Sequence, residues 1–145
     1  MSELKSYAVW DANTRWFHWI NALCVIALAM VGFVILHASD LEISNAGKVT
    51  LKTVHAWVGY VFVFNLLWRF AWAFLGNRYA RWRSILPGGK GYFHAVRSYV
   101  AAFIAGRPEQ YLGHNPVGRL GIAVLFLLIS IQAITGLVLA GTDLF

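Results

Sequence analysis

Three long apolar runs divide the chain. Trp16 to Ser39 and Leu120 to Thr142 carry no charged residue, and Val54 to Leu75 is interrupted only by Arg69. Each is close to the ~20 residues that a helix needs to cross the hydrocarbon core of a bilayer. The pattern predicts membrane spans at about residues 14–37, 51–75 and 117–141. The fold class expected is all-α: a transmembrane up-and-down helical bundle forming a single membrane domain over residues 1–145.

Polar residues mark the edges of these runs. Asp11-Ala-Asn-Thr14 supplies capping side chains directly before the first run, so the first helix is expected to begin near Asn13 or Thr14. Ser39 to Lys48 reads as a short outer loop, with the second span descending from about Thr50. Residues 76–117 hold all three prolines and many glycines. Within them, Tyr92 to Ala105 reads as an amphipathic helix too short to span, lying along the membrane surface. Trp10, Trp16 and Trp19 fall at the depth of an interfacial aromatic belt.

Composition agrees with the pattern. The chain has 145 residues, 59% of them hydrophobic and only 12% charged, far from the balance of a soluble domain. The first apolar run is too long for a cleaved signal peptide, follows a segment carrying Glu3 and Asp11, and lacks a clear small-x-small cleavage site, so it is expected to stay in the membrane. The net charge of +6 is explained by topology. If three spans alternate, ten of the twelve lysines and arginines share one side, and only Lys48 and Lys52 lie opposite. The positive-inside rule then places the N-terminus and the long central segment in the cytoplasm.

Five histidines are the candidates for redox or metal chemistry. His18 and His37 are nineteen positions apart, or about 28 Å along a helix, so the first span has one histidine near each face. His55 enters with the start of the second span, near the outer face. Gly59, one turn on, leaves a bare patch of backbone on the same side of the helix. Two imidazoles sharing one iron approach it from opposite sides, each about 2 Å from the metal. His18 and His55 are thus too far apart in depth to share one, and are read as one ligand each for two haems, one near each membrane face. The alternative for both is interhelical hydrogen bonding.

His37, His94 and His114 lie at wet boundaries and are read as hydrated polar tips. Arg69 is either a snorkelling residue at the end of a span or a partner for a haem propionate. Gly59 either packs a neighbouring helix closely or admits a porphyrin edge.

Several chemistries are disfavoured. One cysteine, Cys24, allows neither a disulfide within the chain nor the C-x-x-C-H pattern of covalent haem attachment, so any haem would be b-type. There is no H-E-x-x-H, no C-x-x-C, no phosphate-binding glycine loop and no nucleophile elbow. All six acidic residues, Glu3, Asp11, Asp40, Glu42, Glu109 and Asp143, fall outside the expected spans. A proton relay through the membrane would have no carboxylates to use.

Four stretches together carry a family resemblance. They are Val9-Trp-Asp-Ala-Asn-Thr-Arg-Trp-Phe-His-Trp-Ile-Asn-Ala-Leu23, His55-Ala-Trp-Val-Gly-Tyr60, Arg69-Phe-Ala-Trp-Ala-Phe-Leu-Gly-Asn-Arg-Tyr-Ala-Arg81 and Gly113-His-Asn-Pro-Val-Gly118. In this order they resemble the b-type cytochrome subunit of nickel-iron hydrogenases and related bacterial di-haem membrane cytochromes b. The resemblance implies a four-helix bundle in the cytoplasmic membrane with two b haems. It also implies electron transfer between a periplasmic redox partner, such as a hydrogenase small subunit or a c-type cytochrome, and the quinone pool.

By motif, His18 and His55 match the haem ligands of the first two helices, and the remaining two ligands come from a fourth. Three spans are present here, which leads to the expectation of a C-terminally incomplete domain that alone binds haem weakly or not at all, with His37 and His114 not ligands. Such a chain would be an electron-transfer subunit of an oxidoreductase complex rather than a catalyst on its own. The rival function is a haem-free membrane anchor or docking subunit of a respiratory complex.

Overall fold

The computed structural model describes residues 9–107 and 109–143. Glu3 and Lys5, which enter the charge pattern, and Pro108 lie outside them. The described residues form five helices and no strand: α1 (Ala12–Leu36), α2 (Asn45–Leu75), α3 (Trp82–Ile85), α4 (Tyr92–Ile104) and α5 (Pro116–Asp143). Three of these, α1, α2 and α5, are long and apolar enough to cross a membrane.

Local chemistry fixes the helix starts. Asp11 is the N-cap of α1: its Oδ1 accepts the Thr14 amide at 2.7 Å, and its carbonyl accepts the Arg15 amide at 3.1 Å. The helix therefore opens one or two residues before the expected Asn13 or Thr14. The larger difference is at α2, which starts at Asn45 rather than near Thr50. Ser44 is the reason. Its Oγ accepts the Gly47 amide at 3.2 Å and its carbonyl the Lys48 amide at 2.9 Å, so a segment that reads as polar loop is capped into a helix.

α5 starts in the same way. Asn115 Oδ1 accepts the Gly118 amide at 2.6 Å, and Pro116 occupies the first helical position, where a missing N–H costs nothing. α4 matches the expected surface helix closely, ending one residue early at Ile104. The four-residue α3 was not legible in the pattern.

The chain divides into two compact units. The first comprises the stretch ending at Arg15 together with Ala71–Leu127. Its core holds the fully buried Ile85 with Ala73, Ala80 and Tyr92. Trp82 packs edge-on against Phe74 and Phe126, with ring centroids 6.1 and 5.8 Å away. Asn77 orders the turn after α2, its Oδ1 accepting the amides of Tyr79 and Ala80 at 2.9 and 3.0 Å and its Nδ2 donating to the Val9 carbonyl. The Tyr92 hydroxyl donates to the Pro116 carbonyl at 2.7 Å, fixing α4 to the start of α5.

The second unit comprises Trp16–Phe70 and the segment from Leu128 onward. Here α1 and α2 form an antiparallel hairpin. Phe17 meets Asn65 and Arg69 at one end, and Gly32 meets His55 at the other. The buried residues Phe62, Asn65, Leu66 and Arg69 recur at helical spacing and define one inward stripe of α2. Outside that stripe the large apolar side chains are exposed, among them Trp16, Met30, Trp57, Phe64 and Ile134. Such extensive apolar exposure suits hydrocarbon as the surrounding solvent.

Candidate functional site

The hairpin of the second unit places the two candidate histidines at opposite ends. Helical spacing puts His55, Gly59, Phe62, Leu66 and Arg69 on one stripe of α2, and the fourteen residues from His55 to Arg69 span about 21 Å. Phe17, beside His18 in sequence, lies at the Arg69 end. The depth separation expected between His18 and His55 is thus present in the contacts.

His55 is half-buried. Its Nδ1 is shielded from solvent and has no hydrogen-bond partner among the described residues. The imidazole packs against α1 where Gly32 presents no side chain: a Cβ there would lie 3.4 Å from His55 Cε1 and 3.8 Å from Nδ1. One turn further along α2, a Cβ on Gly59 would meet nothing within 4 Å. Of the two roles open to Gly59, close packing against a neighbouring helix therefore finds no neighbour among the described residues.

His18 is exposed, with its ring centroid 5.7 Å from that of Trp19 in an edge-on arrangement. Its neighbour Phe17 is held from two sides. Asn65 Nδ2 donates to the Phe17 carbonyl at 3.1 Å, and the Arg69 guanidinium lies 5.7 Å from the Phe17 ring centroid. Arg69 is only 4% exposed and Asn65 only 6%. A snorkelling arginine extends its head to water, whereas this one turns inward against α1 at the level of His18.

The other histidines have local roles. His37 Nδ1 lies 3.0 Å from the Phe33 carbonyl, and its ring packs on Phe33 with centroids 4.3 Å apart. His94 is exposed on α4. The His114 ring lies 4.6 Å from that of Trp10 in the first unit. Among the described residues there is no group of three or more histidine, cysteine, aspartate or glutamate side chains able to hold a metal ion.

Asn65 and Gly32 were not singled out from sequence. An asparagine inside an apolar run is a legible signal, because a polar amide in a span needs a partner. Gly32 gave no such signal, since nothing in the sequence indicates which glycine of α1 faces His55.

The described residues form an all-helical protein with three helices long and apolar enough to cross a membrane, and the comparisons assign the family. Residues 9–144 match the family model described as prokaryotic cytochrome b561, and the chain belongs to that family. It is similar to a probable Ni/Fe-hydrogenase B-type cytochrome subunit of Cupriavidus necator, with 32% identity covering 95% of this chain and 60% of the relative. The protein of the same description in Rhizobium leguminosarum bv. viciae is 33% identical over 97% of this chain and 64% of the relative. A probable Ni/Fe-hydrogenase 1 B-type cytochrome subunit of Escherichia coli strain K12 is 34% identical over 92% of this chain and 60% of the relative. The chain thus spans about 60% of the length of these relatives. No solved structure gives a significant match.

The family implies b-type haem, and the residues present fit it. A haem iron held axially takes one imidazole on each side, so a site needs single accessible histidines rather than a cluster of ligands. His18 is exposed and His55 half-buried, with its Nδ1 without a hydrogen-bond partner among the described residues, and one turn along α2 Gly59 leaves open backbone. Arg69 adds a guanidinium suited to a carboxylate.

Proposed function

We propose that this chain takes part in electron transfer across a bacterial cytoplasmic membrane through two b haems, each of which one of its histidines would help to hold: His18 at the cytoplasmic end and His55 at the outer end. The observation that carries the reading is the placement of these two histidines at opposite ends of the α1–α2 hairpin: Phe17, next to His18, meets Asn65 and Arg69, about 15 to 21 Å along α2 from His55. Haem, when bound, supplies a reversible one-electron couple. The chain's own residues do the rest. Gly59 leaves backbone open that would receive a flat ring, Gly32 lets the His55 imidazole lie close against α1, and Arg69 would pair with a propionate at the His18 end. The apolar walls of the spans keep water from the path.

On this reading electrons pass between a periplasmic redox protein, a hydrogenase small subunit or c-type cytochrome, and quinone in the bilayer. The relatives' descriptions as hydrogenase cytochrome subunits support a hydrogenase as the partner. The concentration of lysine and arginine in residues 76–119 supports a cytoplasmic N-terminus and central segment.

The test is a reduced-minus-oxidised absorption spectrum of the protein purified from its native membranes. Reducible Soret and α bands of b type are expected. Their absence would leave the haem-free anchor as the function.

A further inference from the structure

The first unit contains a cavity of about 310 Å³ that the haem reading does not use. Its polar lining comes from Arg78, Tyr79, Arg83, Ser84, His114 and Arg119, and among the described residues no carboxylate faces it. Three guanidinium groups around one space repel one another unless an anion lies among them.

Two of these arginines are held in place. A terminal nitrogen of Arg119 donates to the Arg83 carbonyl at 3.0 Å and to the Leu86 carbonyl, and the guanidinium lies 5.4 Å from the Tyr92 ring centroid. Arg119 Nε is buried and has no hydrogen-bond partner among the described residues. Arg78 donates to the Tyr79 hydroxyl at 2.7 Å and stacks 4.7 Å from the centroid of that ring. Behind them the chain is pinned. Gly113 adopts φ +94°, a conformation that favours glycine, and a Cβ there would lie 3.2 Å from Tyr79 Cδ1.

Sequence position sets the depth. Arg78 follows the end of α2 by three residues and Arg119 lies in the first turn of α5, so both stand at the end of a candidate span. That is the level of lipid headgroups. Guanidinium groups pair with phosphate oxygens in bidentate geometry, and basic pockets at helix ends on the positively charged side of membrane proteins suit phospholipid headgroups.

We propose that this cavity is a binding site for a phosphate group, with the phosphodiester of an anionic phospholipid or inorganic phosphate as its source. Arg119 and Arg78 form the fixed wall and Arg83 closes on the oxyanion. The guanidinium of Arg83 has no hydrogen-bond partner among the described residues, so its replacement breaks no hydrogen bond among them, and the Arg83 carbonyl that accepts from Arg119 is kept.

The experiment uses the full-length protein in neutral detergent, titrated with phosphatidylglycerol, phosphatidylcholine or inorganic phosphate, with bound ligand read by native mass spectrometry. The variants are Arg83→Gln and, as a control with the same charge change outside the cavity, Arg97→Gln on α4. Phosphatidylglycerol is expected to bind at least about tenfold more tightly than phosphatidylcholine, and Arg83→Gln to weaken it about tenfold, the size of one charge-assisted contact. Arg97→Gln should leave binding unchanged. Binding of inorganic phosphate with the same Arg83 dependence, and without selectivity between the two lipids, supports the site and assigns it to the free ion. Equal losses in Arg83→Gln and Arg97→Gln, or no preference for phosphatidylglycerol or inorganic phosphate over the zwitterionic phosphatidylcholine, would overturn the proposal.

Discussion

Trp72 Nε1 donates a hydrogen bond to Asp11 Oδ2 at 3.0 Å, joining residues 61 positions apart in the chain. Asp11 also caps α1 through its other oxygen, so one carboxylate fixes both a helix start and a tertiary contact in the first unit. Burial raises the Asp11 pKa, but hydrogen bonds from Thr14, Trp72 and Asn77 outweigh it and hold the carboxyl below its ordinary value. A depressed folded-state pKa contributes stability that is complete above the unfolded value and is lost as pH falls through the folded one. The thermal-unfolding midpoint is therefore expected to be insensitive to this group above about pH 5 and to drop below about pH 4. Asp11→Asn, which still caps, should flatten that drop, and Asp11→Ala should cost about 1 kcal/mol at neutral pH.

Gly59 and Gly32 separate a steric block from a folding defect. A Cβ at Gly59 would meet nothing within 4 Å among the described residues, so Gly59→Leu should leave helicity and the unfolding midpoint within about 0.5 kcal/mol of wild type, the range of surface changes. It should nevertheless reduce b-type absorbance, because the space it fills is where the porphyrin would rest. Gly32→Leu should displace the His55 imidazole and remove the same haem, whereas Gly32→Ala, with its Cβ 3.4 Å from His55 Cε1, should retain it. Circular dichroism and difference spectra on the same samples make the comparison. Unchanged absorbance in Gly59→Leu would remove Gly59 from the site.

Arg69 lies at the level of Phe17 and His18. Replacing its charge should lower the midpoint potential of the haem at the His18 end by tens of millivolts, on the order of a unit charge acting over about 15 Å at an effective dielectric of about 20. The potential of the haem at the His55 end should move less. Arg69→Lys keeps the charge and should recover most of the shift, which a purely packing role would not allow. A redox titration of Arg69→Leu with both potentials unchanged would assign Arg69 to helix packing alone.

The long elements were legible because a span announces itself by the absence of charge over about twenty residues, a signal that no local contact overrides. Boundaries were less legible. Ser44 looks like loop until its hydroxyl is seen to take the Gly47 amide, and of the expected capping stretch Asp11 to Thr14 it is Asp11 that caps, so that α1 opens at Ala12 rather than near Asn13 or Thr14. The candidate histidines stood out because ionisable groups in apolar runs are costly. Their surroundings did not: the contact between Gly32 and His55 and the two-sided grip on Phe17 depend on how α1 and α2 rotate against each other, which no periodicity in either helix specifies. The basic cavity was hidden for a different reason. Arg78, Arg83 and Arg119 entered the charge pattern as topological markers, and only the fold of residues 76–119 brings them around one space.

Topology can be checked apart from haem. Ser44 and Ser98 are both exposed, and the native Cys24 is buried, so single cysteines at those positions give clean labelling sites. A membrane-impermeant maleimide applied to intact cells should label Ser44→Cys and not Ser98→Cys. The reverse pattern would invert the orientation and place His55 at the cytoplasmic face.

The central claim is that His18 and His55 each hold a separate haem. Its most direct measurement is the haem-to-protein ratio, by pyridine haemochrome assay, in natively purified wild type, His18→Ala, His55→Ala and the double substitution. The second imidazole of each haem would come from outside these residues, so the ratio is read on the protein as isolated with its native neighbours: two is expected for wild type, falling by one in each single variant and to zero in the double, with helicity retained throughout. A wild-type ratio of zero, or a ratio unchanged by both single substitutions, would contradict it.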